Sequence, residues 1–295
     1  MSDFRLKVFQ SVAKNLSFTK ASQELFISQP AITKHIQELE ATYQTRLFDR
    51  QGSKISLTES GRLLLEHCER ILEDYKRLEY EMHLLHNEYI GELKLGASTT
   101  IAQYVLPPLL GSFIGKFPQV NLSLLNGNSR EIEAALQEHR IDLGLVEGVF
   151  RFPNLKYTTF LEDELVAVVH SKSRLQLPEE ITPQDLPAIP LVLRERGSGT
   201  LDVIERSLQK HGVKLSSLHV LMYLGSTESI KLFLENSDCM GIVSIRSICK
   251  ELAAGTFRVV EIKDMPMLRD FCFVQLQGQE GGLSQAFMNY MFMSR

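Results

Sequence analysis

A chain of 295 residues with 44% hydrophobic and 23% charged side chains has the make-up of a globular protein and room for two or three domains. No run of about 18 apolar residues occurs, and the opening MSDFRLKVFQ lacks a basic segment leading into an apolar one, so the sequence reads as cytoplasmic, neither exported nor membrane-spanning. The net charge of −4 excludes a bulk basic character. Its distribution is uneven, however: up to Thr58 eight basic residues face five acidic ones, a net +3, so the remainder carries −7. A basic head on an acidic body permits a DNA-facing N-terminus. Cys68, Cys239, Cys249 and Cys272 show no CxxC spacing, which fits a reducing compartment and argues against a zinc ribbon.

Three short helical patterns come first. Leu6, Phe9, Ala13 and Leu16 form one apolar stripe, and Phe18, Ala21 and Leu25 form a second after Asn15 and Ser17 interrupt it. The third lies in SQPAITKHIQELE, where Ile32, Ile36 and Leu39 share a face and Gln29, Thr33, Lys34 and Gln37 occupy the opposite one. Ser28 can cap this helix, and Pro30 falls in its first turn, where a missing N–H has no consequence. Helix, tight turn, helix, with small Ala21 where two helices approach, is helix-turn-helix logic. Two short strand segments follow, Leu47 to Arg50 and Lys54 to Leu57, around a Gln51-Gly52-Ser53 turn; they read as a small β-wing.

A long helix is expected from Thr58 to about Asn87. Leu64, Cys68, Ile71, Tyr75, Leu78, Met82 and Leu85 recur at alternating spacings of four and three, the pattern of a coiled-coil dimer, with Cys68 expected to meet the partner helix. A long helix packed on its own body is the alternative. His83 and His86, at i and i+3, flank the seam and read as solvated rather than as metal ligands. From Gly91 onward ELKLGAS, VNLSLLN, IDLGLVEG, ELVAVVH, PLVLRERG and HVLMYLGS read as strands. EIEAALQEH and TLDVIERSLQKHG read as helices between them, an α/β body closed by DFCFVQLQG and LSQAFMNYMF.

The segments FTKASQELFISQPAITKHIQELE and RLFDRQGSKISLTESG, the heptad helix and the α/β body together resemble the LysR-type transcriptional regulators. The resemblance implies an all-α winged helix-turn-helix N-terminal domain (1–58), a linker and dimerisation helix (59–89) and a two-lobed α/β effector domain (90–295) resembling type II periplasmic binding proteins. Lobe I would span about 90–162 and 269–295, and lobe II about 163–268. GASTTIAQYVLPPLL, GNSREIEAALQEHRIDLGLVEG, LRERGSGTLDVIERSL and LGSTESIK look like the branch that includes regulators of sulfur assimilation and of carbon fixation. That branch implies a sulfur-containing or carboxylated effector. The expected partners are promoter DNA, a small metabolite, and further copies of the chain as a dimer or a tetramer formed through the effector domains.

In such a fold the third helix enters the major groove, so Gln29, Pro30, Thr33, Lys34 and Gln37 are the expected base readers. Amides suit adenine, lysine suits guanine or phosphate, and threonine methyl or proline suits thymine. Arg50 and Lys54 on the wing are expected to hold phosphates. The family often has arginine at position 34 and more bases further along, where this chain has Gln37 and Glu38, so oligomerisation is expected to carry much of the affinity.

At the effector end four turns combine hydroxyl, amide and glycine residues and lead into helices: Ser98-Thr99-Thr100, Asn126-Gly127-Asn128-Ser129, Gly197-Ser198-Gly199-Thr200 and Ser226-Thr227. Helix N-termini beyond the carboxyl ends of strands attract anions, so a small anionic or zwitterionic metabolite is expected there. Arg194 and Arg196 are candidates to neutralise it, and Glu147 to accept from an ammonium group; plain helix capping is the competing role for each loop. Three other functions stay open. An enzyme would need Ser98 with His170 or His211, although no G-x-S-x-G, H-E-x-x-H or P-loop occurs. A thiol redox sensor would use Cys239 and Cys249. A solute carrier would need the export signal that the sequence lacks. No cofactor or metal is expected.

Overall fold

The computed structural model describes residues 4–51, 54–84, 89–278 and 281–293. The chain forms two compact units, 1–88 and 89–295.

In the first unit α1 (Phe4–Asn15), α2 (Phe18–Glu24) and α3 (Gln29–Tyr43) bury a common core of Val8, Phe9, Val12, Ala21, Ile32, Ile36 and Leu39. Ala21 is fully buried, which is what lets three helices approach so closely. Leu16 does not extend the first stripe as expected: at φ 45 it forms the turn and is exposed, while Ser17 caps α2 by accepting from Lys20 N–H at 3.2 Å. The wing is β1 (Phe48–Gln51) paired antiparallel with β2 (Lys54–Leu57). Phe48 ties it to the helices, its ring 5.5 Å from Phe9 and 5.9 Å from Phe18.

The long helix α4 (Glu59–Leu84) starts where the Thr58 hydroxyl accepts from Gly61 N–H and donates to Arg46 C=O. A side chain at Gly61 would place its Cβ 2.1 Å from Leu47 O, so glycine is what lets α4 lie on the wing's root. Its heptad stripe divides. Cys68 does not face outward to a partner: it is fully buried with Leu72 in the domain core, its thiol donating to Leu6 C=O at 3.3 Å, and Leu64 packs beside it. A stripe at spacings of four and three is the same whether it meets a second copy or the helix's own domain, and here its first two turns meet α1. Ile71, Leu78 and Met82 further along are exposed; Leu85 and His86 lie outside the described residues.

The second unit is built on one continuous sheet in the order β4 (Val120–Gly127), β3 (Gly91–Ser98), β5 (Leu143–Glu147), β12 (Met267–Leu276), β6 (Leu155–His170), β10 (Met240–Ser244), β8 (Leu191–Arg194) and β9 (Val220–Leu224). β11 (Phe257–Ile262) joins the far half of β6 and carries the short β7 (Glu180–Ile181). The long antiparallel pair β6 and β12 runs through both halves, from Met267 opposite Leu165 to Leu276 opposite Leu155, with its register shifted by one residue between Phe271 and Cys272. β12 also pairs with β5 on one side, and β6 with β10 on the other.

Two separate cores result. Lobe I packs Leu93, Leu95, Phe113, Phe160, Phe271 and Phe273 under α5 (Leu106–Lys116) and α10 (Gly282–Met293), whose Phe287 ring meets Phe113 at 5.1 Å. Lobe II packs Leu165, Leu191, Leu193, Ile204, Leu208 and Ile242 under α7 (Gly199–Lys210). α6 (Ser129–Gln137) lies on lobe I, and α8 (Thr227–Glu235) and α9 (Cys249–Ala253) lie on lobe II. None of the described helices is long and apolar enough to cross a membrane.

Candidate DNA-reading helix and interlobe anion site

The Ser28 side chain accepts from Ala31 N–H at 3.4 Å, capping α3 with Pro30 in the first turn. This fixes the N-terminal end of a helix whose opposite face holds Ile32, Ile36 and Leu39 in the core. Gln29, Pro30, Lys34 and Gln37 are consequently exposed and Thr33 half-buried. The Thr19 hydroxyl donates to Gln29 Oε1 at 3.4 Å, which orients that amide, and the Thr33 hydroxyl donates to Gln29 C=O at 3.1 Å. Arg50 and Lys54 lie on the wing strands, their backbones paired with Ile55 and Gln51.

In the second unit the four turns converge where the lobes meet, in two knots. At the first, Arg194, at the end of β8, is 1% exposed. Its guanidinium donates to Glu195 at 2.8 and 3.0 Å, to the Thr99 hydroxyl across the lobes at 2.7 Å and to Gly225 C=O at 3.3 Å. Its Nη1 is buried without a partner among the described residues, and so are Thr100 Oγ1 and Gln103 Oε1 on the turn after Thr99. An unpaired buried donor on a cation is costly; here it occurs with two further unsatisfied polar atoms on the Thr99 turn. Gln103 sits in the middle of the single turn of π-helix (Ile101–Val105) that precedes α5, a distortion frequent at functional sites. Nearby, Tyr104 of lobe I donates to Glu228 of lobe II. Burial, then the hydrogen bond to Glu228, raises the Tyr104 hydroxyl well above the usual phenol range. Lys231 bonds Glu228 at 2.9 Å and Glu251 at 2.6 Å, its ammonium 5.5 Å from the Tyr104 ring centre.

At the second knot Glu147, at the end of β5, is 2% exposed. It accepts from the Ser98 hydroxyl and lies 3.5 Å from Arg269 Nη1. Glu147, expected to accept from an ammonium group, thus already has one cation at hand, which it shares with Asp163. That arginine also donates to Asp163 at 2.7 Å and to the Thr200 hydroxyl at 2.9 Å, joining lobe I, lobe II and the β6–β12 ribbon. Ser129 donates to Glu147 C=O at 2.8 Å. Gly199 packs so closely that a Cβ there would come 2.0 Å from Glu147 O.

Several expected ligand residues are also helix caps. Asn128 closes a capping box with Glu131, Ser198 accepts from Thr200 N–H, and Ser226 from Ser229 N–H. Thr227 is buried and Arg196 exposed. The residues imagined for an enzyme do not gather: Ser98 is held by Glu147, the His211 ring contacts Ser207 C=O and Asp264 C=O, and the His170 ring packs on Phe257. Burial raises the thiols of Cys68, to about 12, and of Cys239, which disfavours the reactive thiolate. No group of three potential metal ligands occurs among the described residues.

Arg269, Gln103 and Tyr104 escaped the sequence reading. A lone arginine inside the apolar run MLRDFCFVQL was the available signal for the first; the other two had none.

A winged helix-turn-helix with a displayed polar helix face, together with a two-lobed body holding a buried arginine at the lobe junction, defines a DNA-binding regulator that responds to a small molecule. The chain belongs to the LysR family of transcriptional regulators: residues 4–62 match the bacterial regulatory helix-turn-helix of the lysR family and 86–292 the LysR substrate binding domain. It is 30% identical to the HTH-type transcriptional regulator CysL of Bacillus subtilis, over 91% of this chain and 89% of that one. It is also 30% identical to the RuBisCO operon transcriptional regulator of Acidithiobacillus ferrooxidans, over 98% and 92%. Such relatives are in keeping with the branch that the body segments resemble. The regulatory domain of CcmR from Synechocystis PCC6803, solved in complex with 2-PG, is 28% identical, with TM-score 0.62 over 69% of this chain and 97% of that one.

Proposed function

We propose that the chain senses a small anion between its lobes, in the cytoplasm, and acts on promoter DNA as a dimer or tetramer. The observation that carries the anion is Arg194 Nη1, buried and without a partner among the described residues, on a guanidinium that reaches the Thr99 turn, where the Thr100 hydroxyl is likewise unsatisfied. A carboxylate or phosphate offers several acceptor lone pairs, enough for a guanidinium and hydroxyl together. The complex of CcmR with 2-PG supports this ligand class, and the pairing of Glu147 with Arg269 favours an anion over a zwitterion at this place. Besides Arg194 and Thr100, the residues assigned to the pocket are Ser98, Thr99, Asn128, Ser129, Ser198, Thr200, Ser226 and Thr227.

On the DNA side Gln29, Pro30, Thr33, Lys34 and Gln37 read bases, and Arg50 and Lys54 hold phosphates. Leu78 and Met82, exposed on α4, support pairing of two linker helices. Exposed apolar rows on the two sheet edges, Leu124 and Leu125 on β4 and Leu221, Met222 and Tyr223 on β9, support contact between effector domains.

Calorimetric titration with sulfate, phosphate and 2-PG tests the sensor. At least one is expected to bind, and Thr100→Ala and Arg194→Gln each to weaken it about tenfold or more, the effect of losing a hydrogen bond in a charged pair. No binding, or binding indifferent to both changes, refutes the anion site. Gel shifts on the intergenic DNA beside the chain's own gene test the helix: Gln29→Ala and Lys34→Ala each lose about 1–3 kcal/mol on the specific site and little on unrelated DNA.

A further inference from the structure

A second cavity of about 500 Å³ lies on the β6–β12 ribbon, away from Arg194 and Thr100. Its wall combines Glu162 on β6, Leu268, Arg269 and Asp270 on β12, Arg206 on α7 and Arg151 from the loop after β5. Its size falls within the range of about 300–1,000 Å³ typical of small-ligand sites.

Within this wall Arg269 pairs with Asp163 at 2.7 Å, whereas the remaining charges stay apart. Arg206 has no ion-pair partner among the described residues. Arg151 lies with its guanidinium 4.4 Å from the Tyr157 ring centre, donates to the Cys272 thiol at 3.4 Å, and acts on Glu133 through its charge. Glu162 has no cation beside its carboxylate among the described residues, and Asp270 has only the Thr159 hydroxyl, at 3.4 Å. Arg269 is 6% exposed, and its Nη2 is buried without a partner among the described residues. Neighbouring surface charges of opposite sign ordinarily pair with each other or face bulk water. Here Arg151, Glu162 and Arg206 are exposed, so both signs face solvent across one concavity, beside a buried Arg269 nitrogen without a partner among the described residues and with Leu268 and Val149 as apolar wall. A dianion would be repelled by Glu162 and Asp270, and a diamine by Arg151 and Arg206.

We infer that this cavity is a second ligand site, for a zwitterionic amino acid whose carboxylate meets Arg151 and Arg206 and whose ammonium meets Glu162 and Asp270. A ligand there touches the loop of lobe I, a helix of lobe II and both strands that join the lobes. It also shares Arg269 with the interlobe site, since the same guanidinium holds Glu147 and Thr200. The two sites are therefore coupled, each ligand changing the other's affinity by the same factor.

Calorimetric titration of the full chain with the common L-amino acids, and with succinate and putrescine as single-sign controls, tests this. At least one amino acid is expected to bind and putrescine not to. Any response to succinate is expected to depend on Thr100 and not on Arg206. Arg206→Glu, at an exposed position where folding is not at stake, is expected to weaken the amino acid about tenfold or more by reversing a charged hydrogen-bond donor, and Arg206→Lys to restore part of it. Thr100→Ala is expected to leave amino-acid binding intact. If no amino acid binds, if Arg206→Glu changes nothing, or if Thr100→Ala alone abolishes binding, the second site is refuted. In the last case the interlobe site itself takes the amino acid, so failure of this inference is distinguishable from failure of the anion reading.

Discussion

Arg269 shows how much one side chain can decide. Its guanidinium separates two buried carboxylates, Glu147 and Asp163, and removing it leaves Glu147 with the Ser98 hydroxyl alone and Asp163 with Arg246 at 3.6 Å and the Ser244 hydroxyl. Arg269→Met is expected to destabilise the second unit by about 3–5 kcal/mol, the range for breaking a buried ion pair, read by urea denaturation. Glu133 behaves oppositely. Burial first, only partly offset by the Tyr157 hydroxyl it accepts from and by Arg151, holds its carboxyl above the usual range. The folded state therefore binds a proton more readily than the unfolded one, and stability falls as pH rises from the ordinary carboxylate value through the raised one. Glu133→Gln is accordingly expected to stabilise the protein at neutral pH, with the gain vanishing below the ordinary carboxylate pKa, measured by thermal unfolding across pH. The cysteines separate by the same logic: Cys249 is exposed and Cys68 buried. Iodoacetamide is expected to label Cys249 in the native protein and Cys68 only after unfolding, as mass spectrometry would read.

Individual elements differ in how openly the sequence declared them. Ser28→Ala removes the acceptor for Ala31 N–H and is expected to cost about 1 kcal/mol, typical of a lost N-cap, visible as a lower midpoint for the first unit. That cap was legible because serine, proline and an apolar stripe act within one helical turn. The wing and most of the sheet were legible for similar local reasons. β6 was read only from Glu164, yet it begins at Leu155: residues 156 to 159, KYTT, are exposed or half-buried and lack the apolar run that marks a buried strand. β10 and β11 were missed outright, although MGIVS is buried throughout, because five apolar or small residues do not choose between strand and helix without a partner. At the site the turns could be named in advance, but not the state of their side chains. Glu147 looked available because a sequence does not display Arg269, more than a hundred positions away, lying across it.

For the molecule as a whole, the division of the α4 stripe sets what oligomerisation has to work with. Cys68 and Leu72 are occupied within the domain, while Leu78 and Met82 are exposed. The double change Leu78→Glu and Met82→Glu is expected to shift sedimentation toward monomer and to weaken specific DNA binding far more than either reader substitution, because few bases sit on the reading helix. The path of the chain through the second unit also carries a consequence for synthesis. Lobe II is one uninterrupted stretch, whereas β5 of lobe I pairs with β12, which leaves the ribosome more than a hundred residues later. During translation lobe II can thus fold while β3, β4 and β5 wait, their apolar faces uncovered, until the last segment arrives. A nascent chain stopped just after Leu268 would hold the core of the second lobe and an unfinished first one, so the half of the sensor that is made first is completed last.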